Sequence, residues 1–351
     1  MENKIIFENK GFNGLKNLAN TCYLNTTIHL LRSCLPLSYY FLTDIHLQSI
    51  KEEHNNNILL EFVKLIKLIW TEERTVIDPT DFYVSILKQL QETDKSIERF
   101  QPGQHHDLHE FLVFIIDYLH EALSKNTTIN ITGNINHEND KIAHDALSYW
   151  KKIYEKEYSI MIELFYGQYM TEITCPQCNL KSYNYESFST INLPINISNS
   201  DNNLNIYDCF DLLTKDEYLD NENKLKCDNC KTYQSSKKKI FFWKLPHILI
   251  IFLNRFSCVE NLSKKIQFPI NNLDINKYCF NYHKNKNNIY NLFGIGNYVG
   301  NGQCGHYSAT IRNKNNKWYH IDDDTISEIS IENIENNTHY TYCLMYQQIP
   351  N

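Results

Sequence analysis

NLANTCYLNTTIHLL, residues 17–31, sets a cysteine, Cys22, at the head of an apolar-periodic run. Leu24, Ile28 and Leu31 recur at helical spacing, and Asn20 or Thr21 stands where an N-cap belongs. Cys22 then falls in the first helical turn, where unpaired backbone N–H groups and the macrodipole stabilise a thiolate. Taken alone, such a cysteine reads more simply as a core thiol. It becomes a nucleophile only if the chain supplies a base.

The base candidate lies almost 300 residues downstream. In GNGQCGHYSATIRN (300–313), a loop with Gly300, Gly302 and Gly305 runs into a strand that opens at His306. NKNNK (313–317) reads as a turn and KWYHI (317–321) as the returning strand. Folding this hairpin about Asn315 sets Ser308 opposite Asp322, on the face that period two gives to His306. Asp322 is then a diagonal neighbour of His306. A register slip of one residue would substitute Asp323. Cys22, His306 and Asp322 together make a nucleophile, a base and an acid that orients the imidazole. The Cys22 N–H and a side-chain amide such as Asn17 or Asn20 are candidate oxyanion donors.

Two CxxC pairs, Cys175/Cys178 and Cys227/Cys230, each sit at a turn between strand-like segments. Two such knuckles complete a tetrahedral four-thiolate zinc site, structural because no position is left open to water. The 48 residues between the pairs (179 to 226) exceed a zinc-ribbon spacing, so the site is expected to clasp the tips of two hairpins with a long segment looping out.

The rest of the chain divides in two. Helical periodicity fills residues 20–125, in EFVKLIKLIW (61–70), DPTDFYVSILKQL (78–90) and above all DLHEFLVFIIDYLHEAL (107–123). A polar, Asn-rich loop over 124–141 follows, then a stretch that regains helix. From about 165 the runs are β-branched and aromatic, as in strands. Helices first and strands later give an α+β architecture.

Composition is that of an ordinary globular chain: 351 residues, 42 % hydrophobic and 21 % charged. A net charge of −7 opposes general nucleic-acid binding. No apolar signal region opens the chain, and HILIIFL (247–253) is too short to span a bilayer. A cytoplasmic protein is expected, with the nucleus as a second compartment, its eleven cysteines reduced.

These motifs together resemble the ubiquitin-specific proteases, a papain-like class of cysteine-type deubiquitinases. GLKNLANTCYLNTTIHLL is similar to that family's Cys box and GHYSATIRNKNNKWYHIDDDTISEI to its His box. QHHDLHEFLVFIIDYLHEAL resembles the central box, LPHILIIFLNRF and KIQFPINNLDINKY the strands after the zinc hairpins, and the CxxC pairs the fingers. The resemblance implies a single catalytic domain over 11–348, with a helical thumb (11–125), zinc-stapled β fingers (within 165–245) and an antiparallel β palm (246–348). It implies Cys22 as nucleophile, His306 as base, Asp322 as orienting acid, Asp323 in support and Asn17 at the oxyanion. Asp107, Glu110 and Tyr307 would hold the ubiquitin tail. One structural Zn²⁺ per chain, ubiquitin and ubiquitinated proteins as partners, and a monomer are implied too. Ala19 stands where the family usually has Gly, His29 where Gln is common and Asn254 where Lys is frequent, and Cys304 lies in a usually Gly-rich loop. A protease for a ubiquitin-like modifier and a ubiquitin-binding pseudoenzyme are the alternatives; the intact triad opposes the second.

Overall fold

ILIIFL (248–253) is apolar at every position because its strand is covered on both sides. Ile248, Ile250 and Phe252 enter one core, and Leu249, Ile251 and Leu253 enter another. The computed structural model describes residues 6–51, 56–93, 99–195, 204–256, 264–280, 282, 288–301 and 304–350; Gly302 lies outside them.

The first half is helical: α1 (Cys22–Ser33), α2 (Leu35–Leu42), α3 (Asn57–Ile69), α4 (Thr80–Thr93), α5 (Leu108–Leu123), α6 (Glu138–Tyr154) and α7 (Ile160–Phe165). Two short strands, β1 (Gly14–Leu15) and β2 (Val76–Ile77), pair in parallel ahead of and within this group. The second half supplies β3 (Gly167–Thr174), β4 (Lys181–Phe188), β5 (Ile191–Leu193), α8 (Ile206–Leu213), β6 (Glu217–Leu219), β7 (Leu225–Lys226), β8 (Tyr233–Gln234), β9 (Ser236–Lys244) and β10 (Ile248–Leu253). It closes with β11 (Ile289–Gly300), β12 (Gly305–Arg312), β13 (Trp318–Asp322), β14 (Thr325–Ile329), α9 (Ile331–Asn336) and β15 (Thr341–Gln348).

The large sheet runs β14–β13–β12–β11–β15–β10–β5. Its pairs are antiparallel except β10 with β5. One face packs on the thumb helices. Every residue of α1 is buried, its polar ones included. An isolated amphipathic helix would leave those polar residues in water. Here α1 is the central helix between sheet and thumb; two of its hydroxyls bond the helix's own carbonyls, while Asn25 Oδ1, His29 Nε2 and Arg32 Nη1 are buried without a hydrogen-bond partner among the described residues. Thr27 Oγ1 bonds the Tyr23 carbonyl and Ser33 Oγ the Leu30 carbonyl.

The second sheet, β4–β3–β9–β6, forms the fingers. Two boundaries differ from the sequence reading. The polar loop ends at 137, because Glu138–Asp140 already open α6 through a capping box with His137. α6 lies along the fingers, where Tyr185 OH bonds the Ile142 carbonyl and Gln168 Nε2 the Ala146 carbonyl. Within 165–245, β5 belongs to the palm sheet, and α8 packs over that sheet's outer core with Ile206 and Phe210. Both follow from partners distant in sequence, which local pattern does not encode. Among the described residues no helix is long and apolar enough to cross a membrane.

Candidate active site

Cys22 is the first residue of α1 and is buried at 2 % exposure. The expected side-chain cap does not form. Thr21 Oγ1 instead accepts from the Leu18 N–H at 2.8 Å, and Asn20 Nδ2 donates to the Gly103 carbonyl at 2.8 Å. The first-turn N–H groups thus keep no cap oxygen and are free for an anionic partner. Ala19 and Asn20 enter the helix in the left-handed region, with φ of 64° and 66°. This explains why glycine suits position 19.

His306 is the second residue of β12, and the hairpin has the register counted about Asn315: Ala309 faces Ile321 and Thr310 faces His320. His306 Nε2 bonds Asp322 Oδ1 at 2.5 Å, while Asp323 Oδ2 stands 4.0 Å from the same nitrogen. Nδ1 is left for Cys22. The hydrogen bond with Cys22 and then the Asp322 carboxylate raise His306 to about 9, against the opposing cost of its burial. Protonation therefore persists below about pH 9 and is lost above it.

Asp323 holds the surrounding chain together. Its Oδ2 accepts from Asn17 Nδ2 at 2.7 Å and its Oδ1 from Asn25 Nδ2 at 2.8 Å. Its backbone carbonyl accepts from the Leu15 N–H at 2.9 Å. Gly14 is required beside it, since a Cβ there would come within 2.5 Å of the Asp324 carbonyl oxygen. Asn17 also accepts from the Thr21 N–H at 3.1 Å. One Asn17 amide hydrogen goes to Asp323, and the amide has a second for another acceptor. Asn25 was missed by sequence reasoning.

Asp107 and Tyr307 are brought together, and Glu110 is not with them. Asp107 caps α5: Oδ1 accepts from the N–H groups of His109 and Glu110 at 2.8 and 3.1 Å. Its Oδ2 accepts from the hydroxyls of Tyr307 at 3.2 Å and Tyr342 at 2.9 Å. Both oxygens are committed within the chain, so Asp107 ties the thumb to the palm. Glu110 pairs with Arg99 at 2.9 Å on the surface. Tyr342, like Asn25, carried no sequence signal.

The four finger cysteines converge, with all sulfurs within 4.8 Å of one another. Cys175–Cys230 and Cys178–Cys227 are 3.9 and 3.6 Å apart, and tetrahedral thiolates at a Zn–S distance of about 2.3 Å stand about 3.8 Å apart. The two knuckles repeat one another. In each, the first cysteine's N–H bonds the carbonyl five residues on, Leu180 or Thr232. In each, the residue after the second cysteine, Asn179 or Lys231, has positive φ and bonds back to the first cysteine's carbonyl. The cluster is compatible with zinc.

A family model described as ubiquitin carboxyl-terminal hydrolase matches residues 13–346. The chain belongs to that family. Human ubiquitin carboxyl-terminal hydrolase 2 is 29 % identical over 350 residues, covering 96 % of this chain and 55 % of the human protein. Drosophila melanogaster ubiquitin carboxyl-terminal hydrolase Usp2 is 30 % identical over 332 residues, covering 93 % of this chain and 34 % of the fly protein. The chain thus spans 55 % or less of the length of these two relatives. A solved structure of the SAGA Ubp8/Sgf11/Sus1/Sgf73 DUB module bound to ubiquitin aldehyde has the same fold, with a TM-score of 0.73 at 22 % identity over 98 % of this chain and 71 % of that one.

Asp323→Asn keeps the side-chain shape and a residue that tolerates positive φ, but sets an amide N–H₂ against the Asn17 or Asn25 donor. Urea unfolding is expected to show a loss of about 1–3 kcal/mol. A change under about 0.5 kcal/mol would mean the carboxylate does not hold the site together.

Proposed function

We propose that this chain is a thiol-dependent deubiquitinase that hydrolyses the isopeptide or peptide bond after the C-terminal glycine of ubiquitin. The observation that carries the reading is the line Cys22, His306, Asp322 at an uncapped helix start. In this reading the Cys22 thiolate attacks the carbonyl carbon, and its C–S bond forms as the oxygen becomes anionic. The Cys22 N–H and the second Asn17 amide hydrogen stabilise that oxygen. As the C–N bond breaks, the imidazolium of His306 gives its proton to the leaving amine. Neutral His306 then takes a proton from the water that hydrolyses the thioester. Asp322 keeps the imidazole oriented, and Asp323 holds Asn17 and, through Asn25, the helix start.

Asp107, Glu110 and Tyr307 are proposed to bound the ubiquitin tail, with Asp107 acting through the position it gives Tyr307 and Tyr342 as well as by its charge. Ubiquitin and ubiquitinated proteins are the proposed partners; the neighbour structure bound to ubiquitin aldehyde supports this. The proposed state is a monomer, since every residue of the site lies on one chain. Cytoplasm, with the nucleus in addition, is the proposed location. The acidic balance and the absence of an apolar membrane-length helix among the described residues favour neither nucleic acid nor membrane as a partner.

Cys175, Cys178, Cys227 and Cys230 are proposed to hold one structural Zn²⁺. The ion would neutralise crowded thiolates and fix the fingertips, and four sulfurs leave it no place in the reaction. Purified protein is expected to carry about one zinc per chain, and Cys178→Ser to lose it and melt at lower temperature. Wild-type protein that is folded, active and zinc-free would contradict this.

A ubiquitin probe with an electrophile at its C-terminus is expected to gain the mass of a covalent adduct on wild type and none on Cys22→Ala. An adduct that survives this substitution, or forms only with a ubiquitin-like modifier probe, would overturn the reading.

A further inference from the structure

The two faces of β12 lead to different places. Tyr307, Ala309 and Ile311 point into the core shared with the thumb, and Tyr307 meets Asp107 there. By period two His306, Ser308 and Thr310 point the other way. On that second face lies a cavity of about 320 Å³ that the mechanism has not used. Its floor includes Asn297, Thr310 and His320, and its roof is α9, with Asn333 and Ile334. One end is formed by His306 and Asp322 themselves. The cavity therefore ends at the His306–Asp322 pair.

Its chemistry is amphipathic. The floor is a fixed polar chain: Asn297 Nδ2 donates to Thr310 Oγ1 at 3.0 Å, and Thr310 Oγ1 meets His320 Nδ1 at 3.2 Å. Burial holds His320 below its ordinary range, so it stands neutral here. Ile295, Ile329 and Ile334 supply an apolar wall. Among the described lining residues there is no Lys or Arg, and Asp322 is the one carboxylate. A volume near 300 Å³ is at the small end of ligand sites. It suits one long side chain with a piece of its backbone. Lysine, with an aliphatic stem and polar ends, matches such a lining.

Position selects the same occupant. The acyl half of the substrate enters on the face where Asp107, Tyr307 and Tyr342 lie. The leaving nitrogen has to come within hydrogen-bond reach of His306. Whatever that nitrogen carries then extends on the His306 side, where this cavity begins. We propose that the cavity between the palm sheet and α9 is the acceptor-side subsite, receiving the lysine side chain and adjoining backbone of the protein from which ubiquitin is released. This rests on the deubiquitinase reading. It places the choice among conjugates in Asn297, Thr310, His320 and the inner side of α9, away from the ubiquitin tail.

The test compares two substrates that share ubiquitin and differ in leaving group. One is ubiquitin with a C-terminal aminocoumarin; the other is ubiquitin isopeptide-linked to a lysine-containing peptide. Asn333→Trp fills the cavity from an exposed helix position, and Val299→Trp does so from a lining residue that is 51 % exposed. Relative to the aminocoumarin substrate, kcat/KM on the peptide conjugate is expected to fall about tenfold or more, chiefly through KM. An equal fall on both substrates, or none on either, overturns the subsite and leaves the function standing. Failure of wild type to cleave either substrate overturns both. Thermal melts identify a variant that has lost its fold, and the other variant then decides.

Discussion

The carboxylate of Asp323 is the point on which the site depends. It takes one amide from Asn17 and one from Asn25, partners 306 and 298 residues away in sequence, while its carbonyl takes the Leu15 N–H. That junction joins the cysteine segment to the His–Asp hairpin directly, beside the packing of α1 on the sheet. Hydrogen bonds to an ionised acceptor are stronger than neutral ones, and a half-buried junction keeps part of that strength. Asp323 itself sits at φ of 50°, a backbone state open to Asp and Asn but disfavoured for most residues. The close approach at Gly14 belongs to the same junction.

The same helix serves as core and as site, and the two uses pull apart. For stability alone, α1 would have an N-cap and a polar face in water. Instead Thr21 turns its hydroxyl to Leu18, two residues in the left-handed region precede the helix, and the whole helix is enclosed. The packing of Leu24, Ile28 and Leu31 offsets those costs. In the proposed reaction the donors a cap would satisfy serve the oxyanion, which accounts for the failure of local rules at this helix start.

Much of this was legible because it depends on counting. Period two about Asn315 is enough to place Asp322 beside His306, and CxxC spacing is enough to make two knuckles. The double burial of β10 is written in six consecutive apolar residues. What was not legible depends on partners far along the chain. Asn25 is one polar residue among several in α1 until Asp323 is beside it, and Tyr342 is one tyrosine among 24 until Asp107 reaches it. β5 reads as a finger strand, yet its parallel pairing with β10 places it in the palm. Asp107 reads from sequence as an acid at a helix start, but its four acceptor bonds within the chain follow from the meeting of thumb and palm.

The central claim is that His306 in the free site is held protonated, chiefly by its hydrogen bond with Cys22. NMR titration of the His306 imidazole measures this directly. The account predicts a pKa of about 9 in the wild-type chain and a fall toward the ordinary histidine value in Cys22→Ala. A wild-type value near about 6.5, or a raised value that Cys22→Ala leaves in place, would contradict it.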